Sequence, residues 1–472
     1  MKKTARGATV EQAVYAIERA MLPSEGGAVS APGPATIEAS VHTGLITTVH
    51  RRLVPAESYG ADTEYHHVPG PLLVFPGLVD PHVHLNEPGR TAWEGFATGT
   101  LAAAAGGVTT LVDMPLNAVP PTTTLANLRE KVRAAEGQCL VDVAFWGGVV
   151  PGNQDHLLPL VNAGVKGFKC FLIDSGVAEF PSVSEADLEK AMAILQDAGS
   201  MLMFHAELAS AEPRGAEERD PDLYASFLAS RAPRLEQDAV ALVIRLNKKY
   251  PGLRTHIVHL SAAEALPMIE EARRDAGLPL TTEEADVRAL LDVSGGDDPG
   301  RTGGVQVLSA DPGGGEPGAA VDGAGGGDDR DGGVGPFAVP GGAEGRREPD
   351  GRWLCEHPAA FARLDDRKGF LAPGFQCDLC IFDPSRAFQV VSSLSSLLMP
   401  SYYTDLIPSD NARNKVTKED LKFKNKISAY CGKQLSGRVV STVLATRLIY
   451  DLDSLASAPV GRSERLGKLL LN

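Results

Sequence analysis

The chain has 472 residues, 43% of them hydrophobic, and a formal net charge of −15 at pH 7. That length accommodates one large α/β barrel with a small companion domain, and the acidic balance argues against general nucleic-acid binding or attachment to an anionic membrane surface. Six cysteines in so long a chain are no disulfide framework, so an intracellular, reducing compartment is expected, most simply the cytoplasm.

No run approaches the length of a membrane span, and no apolar or transit-type segment follows "MKK". Residues 1–34 read as a lead-in containing a short helix, "VEQAVYAIERAM". "ATIEASVHTG" and "LITTVHRRLV" read as strands. From Gly70 the texture changes to strands alternating with helices, the signature of a parallel sheet. Strand one covers residues 72–85. "TAWEGFATGTLAAAAGG" reads as a helix opened by a Thr91/Glu94 capping box and stopped at Gly106–Gly107. Strands two to six are "VTTLVDMPL", "VDVAFWGGVV", "VKGFKCFLI", "MLMFHAEL" and "THIVHLS". Three of the intervening segments, "HLLPLVNAG", "EADLEKAMAILQDAG" and "LEQDAVALVIRLNKKY", carry helical spacing. Six such units predict a (β/α)₈ barrel over 70–293 and 352–369, with its chemistry at the carboxyl ends of the strands.

Residues 294–351 interrupt this pattern. They are Gly-rich and carry too little apolar surface to offset the entropy of ordering, so disorder is expected there. A helix, "WLCEHPAAFARL", follows, then two strand-rich stretches flanking an irregular loop, "SSLSSLLMPSYYTDLIPSDNARNKV". Residues 35–69 and 370–452 are both strand-rich, and neither is long enough to bury a core alone. They are expected to fold together as a small β-sandwich. Cys377 and Cys380 have no second CxxC to complete a zinc site and read as packed thiols.

The strand ends carry the chemistry. His82 and His84 close strand one in "GLVDPHVHLNEPG". Positions i and i+2 of a strand face one side, so both imidazoles are aimed at one place, as a zinc-like ion requires. Lys169 interrupts strand four, His205 strand five and His259 strand six, each near the carboxyl end of an apolar run. A buried lysine is costly and rare. Any one of these has a bland structural explanation, but their recurrence on successive strands points to a shared site.

"GLVDPHVHLNEPGR", "WEGFATGTLAAAAGGVTTLVDMPLN", "GFKCFL", "FHAEL" and "VHLS" resemble the cyclic amidohydrolases, and among them the allantoinases. The resemblance covers residues 70–280 and 352–452, and more weakly 35–69. It implies an amidohydrolase-type barrel with a β-sandwich, and a homo-oligomer, by family a tetramer. It implies hydrolysis of the hydantoin ring of allantoin to allantoate, in purine breakdown. It also implies two divalent metal ions, most simply zinc. His82 and His84 would hold one and His205 and His259 the other, with a carbon dioxide-derived carbamate on Lys169 bridging both. Asn86, where dihydroorotases usually carry an arginine, and Asn117 are expected substrate contacts, though either could equally cap a turn.

The pattern breaks where the Gly-rich segment begins. Family strands seven and eight, the latter with its Ser-Asp-His-Ser-Pro motif, are replaced, which predicts an incomplete barrel. The eighth-strand Asp is the family's general base and a metal ligand, and Asp311 in "VLSADPGG" is a poor substitute. No catalytic residue is therefore assigned from sequence. A second reading, a non-catalytic amidohydrolase-like protein, rests on that missing Asp.

Overall fold

The computed structural model describes residues 9–23, 31–208, 231–284, 352–390, 415–416, 421–426, 434–453 and 466–471. The segment 294–351, Asp311 and most of the 392–416 loop lie outside the described residues. The chain divides into two compact units. A terminal unit takes residues 1–114, 131–145 and 339–471, and an inner unit takes 115–130 and 146–338.

The terminal unit is built on a nine-stranded sheet drawn from both ends of the chain. Its first half is β1 (Gln12–Ala20), β2 (Gly33–Ser40), β3 (Ile46–His50), β4 (Thr63–Val68) and β5 (Leu73–Pro76). Its second half is β14 (Leu379–Val390), β15 (Lys415–Val416), β16 (Gln434–Leu444) and β17 (Arg447–Asp451). The halves join where β14 runs antiparallel to β5, from Leu379 opposite Pro76 to Phe382 opposite Leu73.

The stretch expected to be a helix in the first 34 residues is instead the strand β1. It pairs antiparallel with β2 and parallel with β4. Ala13, Tyr15 and Ile17 pack with Ala35, Ile37 and Ala39 of β2. Val14 and Ala16 on the other face are also fully buried. A strand covered on both faces reads as a continuous apolar run, which periodicity cannot separate from a buried helix.

The strand expected over 72–85 is two strands. β5 belongs to the nine-stranded sheet, while β6 (Leu78–Val83) pairs parallel with β7 (Val108–Asp113), and β7 with β8 (Asp142–Phe145). Gly77 is the joint. Its N–H donates to the Asp378 carbonyl at 2.8 Å. A Cβ there would fall 2.2 Å from Thr109 Oγ1 and 2.7 Å from the Asp378 Cβ, so only glycine fits.

Helix α1 (Phe96–Ala105) ends at Gly106 as expected, but the Thr91/Glu94 box does not open it. The N-cap is Gly95, at φ +105°, and the Phe96 N–H donates to Glu87 Oε2 at 2.9 Å. Glu87 Oε1 accepts from Gln138 Nε2 at 3.1 Å. A carboxylate nine residues upstream of Phe96 therefore serves as the cap. Glu87→Ala is expected to cost about 1 kcal/mol, a fall of about 2–4 °C in Tm, read by thermal denaturation.

Two buried ion pairs fasten this unit. Lys131, on α2 (Leu125–Ala135), reaches Asp113 Oδ2 at 2.6 Å and the Met114 carbonyl at 3.0 Å. Asp113 Oδ1 accepts the Leu85 N–H at 2.7 Å, which fixes the turn just beyond His84. Lys368 Nζ lies 2.6 Å from Asp142 Oδ2 and 2.7 Å from Asp378 Oδ2. The last residues join this cluster. Lys468 donates its backbone N–H to Asp142 Oδ1 at 2.7 Å, and Leu469 bridges Val143 in parallel.

The inner unit carries a five-stranded parallel sheet. Its strands are β9 (Gly147–Gly148), β10 (Phe168–Phe171), β11 (Met201–His205), β12 (Arg254–Leu260) and β13 (Leu280–Glu284), in chain order. Helices α3 (Leu157–Ala163), α4 (Glu185–Asp197), α5 (Pro233–Lys249) and α6 (Leu266–Ala276) connect them. α4 opens with a capping box, Ser184 with Asp187. Strand three of the sequence reading is split at Trp146, β8 lying in one unit and β9 in the other.

β13 corrects the expectation that strand seven is replaced. "LTTEE" pairs parallel with β12, from Leu280 opposite Thr255 to Glu284 opposite Leu260. Its short, alternating-polar sequence gave no strand signal strong enough to be read. Among the described residues the parallel strands form separate sheets of three and five and do not close into one hydrogen-bonded barrel.

Candidate metal centre

In the terminal unit, His82 lies on β6 and His84 one residue beyond its end. Their rings are neighbours, with centroids 5.6 Å apart and planes at 52°. Alternation brings them to the same side, as their spacing predicted. The turn that follows is held by Asp113, and Asn86 within it adopts φ +62°. Asn86 is buried, and its Oδ1 has no hydrogen-bond partner among the described residues.

In the inner unit, Lys169, His205 and His259 come from consecutive strands. Phe171 of β10 registers with His205 of β11. The two rings stack at 4.5 Å and 10°, and Lys169 Nζ stands 5.3 Å from the centre of the Phe171 ring. His205 Nδ1 lies 3.2 Å from His259 Nε2. Two ligands of one tetrahedral ion at ~2.0–2.1 Å would stand about 3.3–3.4 Å apart, so this pair fits a shared metal. Asn117, in the same unit, takes φ +67° and so occupies a left-handed turn position.

The electrostatics favour ligand chemistry. Lys169 is 1% exposed, and burial lowers its pKa to about 8, with Glu283 and Cys170 opposing the shift. Burial also holds His205 below the usual imidazole value, and the nearby Lys169 charge adds to this. His205 is therefore neutral at physiological pH, the form that binds metal. Among the described residues, no three His, Cys, Asp or Glu side chains gather closely enough to hold an ion. The imidazoles come as pairs. A carbamate on Lys169 would add anionic oxygens that the unmodified lysine lacks.

Three carboxylates around the His205–His259 pair were not foreseen from the sequence. Glu207 Oε2 lies 3.6 Å from His205 Nε2 and is also paired with Arg231. Burial alone would raise the Glu207 pKa, but His205 and Arg231 outweigh it and hold the carboxyl below its usual range. Glu236 accepts the N–H groups of Ser261 and Ala262, which fixes the loop after β12, and burial pushes its carboxyl up to about 7. Glu283 accepts the His259 N–H at 3.2 Å. The alternation rule applied past His205 would have found Glu207; Glu283 belongs to the strand that was missed.

Comparison with known proteins bears on the family and the fold. The profile of the amidohydrolase family matches residues 73–295. The allantoinase of Saccharomyces cerevisiae is 37% identical over 465 residues, covering 91% of this chain and 95% of that protein. The protein named mitochondrial allantoinase of Aquarana catesbeiana is 58% identical over 214 residues, 45% of this chain and 44% of its own length. In fold, the chain is similar to the L-hydantoinase of Arthrobacter aurescens, with a TM-score of 0.75 at 21% identity over 98% of this chain and all of that one. With a near-full-length relative of that identity, the chain belongs to the amidohydrolase family and, within it, to the allantoinases.

Proposed function

We propose that this chain hydrolyses the hydantoin ring of allantoin to allantoate, and that His82, His84, His205, His259 and a carboxylated Lys169 are the residues that would hold two divalent metal ions. Zinc is the simplest choice of metal for a set of imidazoles and one carbamate. The observation that carries the reading is a fully buried Lys169, of lowered pKa, beside a pair of imidazole nitrogens 3.2 Å apart. The near-full-length similarity to the yeast allantoinase supports the substrate. The second reading, a non-catalytic relative, rests only on the missing eighth-strand Asp.

When bound, the ions would polarise the ring carbonyl and acidify a water molecule. The rest falls to the chain. The neutral Lys169 amine adds carbon dioxide, forming one N–C bond and releasing one proton. The product is an anion, which removes the cost of burying an ammonium. Glu207, itself paired with Arg231, lies beside the far edge of the His205 ring. Asn86 Oδ1, buried and unpartnered among the described residues, would accept an N–H of the hydantoin ring. Asn117 is a second contact of the same kind. The family's eighth-strand Asp has no counterpart in the sequence, so turnover is expected to be ~10²–10⁴-fold slower than in a chain that carries it. A reducing compartment and a homotetrameric assembly complete the proposal, the latter read by light scattering.

The test is ureide release from allantoin by the purified chain loaded with zinc, manganese or cobalt in bicarbonate. Slow, metal-dependent release is expected; metal binding with no release at any enzyme concentration would sink the activity. The loading step has its own pH dependence. Only the neutral amine adds carbon dioxide, so metal uptake in bicarbonate should rise between pH 7 and pH 9, centred on the Lys169 value of about 8. Uptake that is flat across that window would contradict the role given to Lys169.

A further inference from the structure

The reach of His259 toward His205 depends on an irregularity in β12. Ile257 is opposite Thr282 of β13, yet Leu260 is opposite Glu284. Three steps along one strand thus match two along the other. Such an extra residue bends the strand and re-aims a side chain. His259 lies within this irregularity, at φ +40°, a conformation that is strained for a non-glycine residue. Something must offset that strain, or the strand would relax and the ring would swing away.

We propose that Glu283 is a positioning residue, its carboxylate oxygen holding the β12 irregularity that aims His259 at His205. The inference rests on the metal reading of the imidazole pair. Glu283 is 5% exposed, on the strand next to His259. Its Oε1 accepts the His259 N–H at 3.2 Å, in place of the backbone carbonyl that a regular ladder would supply. Its Oε2 lies 3.7 Å from His256 Nε2, while His256 Nδ1 lies 2.7 Å from Thr281 Oγ1. The carboxylate is therefore held through Oε1, while the His256 ring lies beside Oε2 beyond hydrogen-bond reach. What matters is an acceptor oxygen at the right reach, rather than the negative charge.

Two substitutions separate reach from charge. Glu283→Asp keeps the charge and withdraws the oxygen by one methylene. Glu283→Gln keeps the reach and an accepting oxygen but loses the charge. Zinc affinity of each chain, measured by competition with a chelator, is expected to fall about 10–100-fold in E283D and to stay within about threefold of the parent in E283Q. Amide exchange at His259, followed on the metal-free chains, should be faster in E283D and unchanged in E283Q. A parent chain that binds no zinc would overturn the metal reading, while the exchange comparison would still judge Glu283. If E283Q loses as much zinc affinity or amide protection as E283D, the proposal is wrong.

Discussion

Replacing Lys169 with methionine should stabilise the metal-free protein while abolishing metal uptake and turnover. The lysine pKa is about 8 in the fold against an ordinary value of 10.5. A group so lowered costs folding free energy wherever it is still charged. The cost is complete below about pH 8 and fades as pH climbs toward the unfolded value, because the amine is then neutral in both states. The difference amounts to about 3 kcal/mol. Methionine has similar length and no charge, so Lys169→Met should recover up to that amount at pH 7 and little at pH 10. Denaturant unfolding in chelator, free of carbon dioxide, at the two pH values is the measurement. No gain at pH 7 would mean that the ammonium is solvated. In bicarbonate with zinc, the same variant should fail to load the paired site and fail to release ureide.

Lys368→Met should do the reverse. This lysine is as deeply buried as Lys169, but burial is outweighed by the charges of Asp378 and Asp142, which hold its pKa above the ordinary value. Removing the ammonium leaves two buried carboxylates sharing one place, and breaking a buried pair in this way typically costs about 3–5 kcal/mol. In a chain of this size that is a fall in Tm of roughly 10 °C, if the terminal unit melts cooperatively. Lys368→Met combined with Asp142→Asn and Asp378→Asn should recover part of the loss, since amides can bond where carboxylates repel. A single variant as stable as the parent would show that one Asp is already protonated. Two lysines, both fully buried, thus have opposite signs: one is kept uncomfortable for chemistry, the other is neutralised for fastening.

Much of this was legible in the sequence, for stated reasons. His82 and His84 were readable because two-residue spacing at a strand end has one geometric meaning. Lys169, His205 and His259 stood out because each is a polar residue interrupting an apolar run, although in the sheet it is Phe171, not Lys169, that lies opposite His205. What was not legible depends on contacts distant in sequence. β1 reads as a helix because both its faces are covered, one of them with the help of Leu371, Cys377 and Leu379 from the far end of the chain. The break at Gly77 is set by Asp378, some 300 residues later. Glu87 caps α1 from outside the helix, and no local pattern reveals that. β13 is five residues of modest hydrophobicity whose pairing with β12 makes it a strand.

The nine-stranded sheet has a consequence for synthesis. β5 waits for β14, and the edge of β8 waits for Leu469, more than 300 residues further along the chain. The strands β9 to β13, by contrast, are contiguous in the chain. A ribosome therefore delivers the inner sheet whole, while β5 emerges early and lacks β14 until about 300 more residues have been made. During that interval the open edge of β5 is a template for any passing strand. The β5 edge is therefore the place where a holding chaperone would act on the nascent chain.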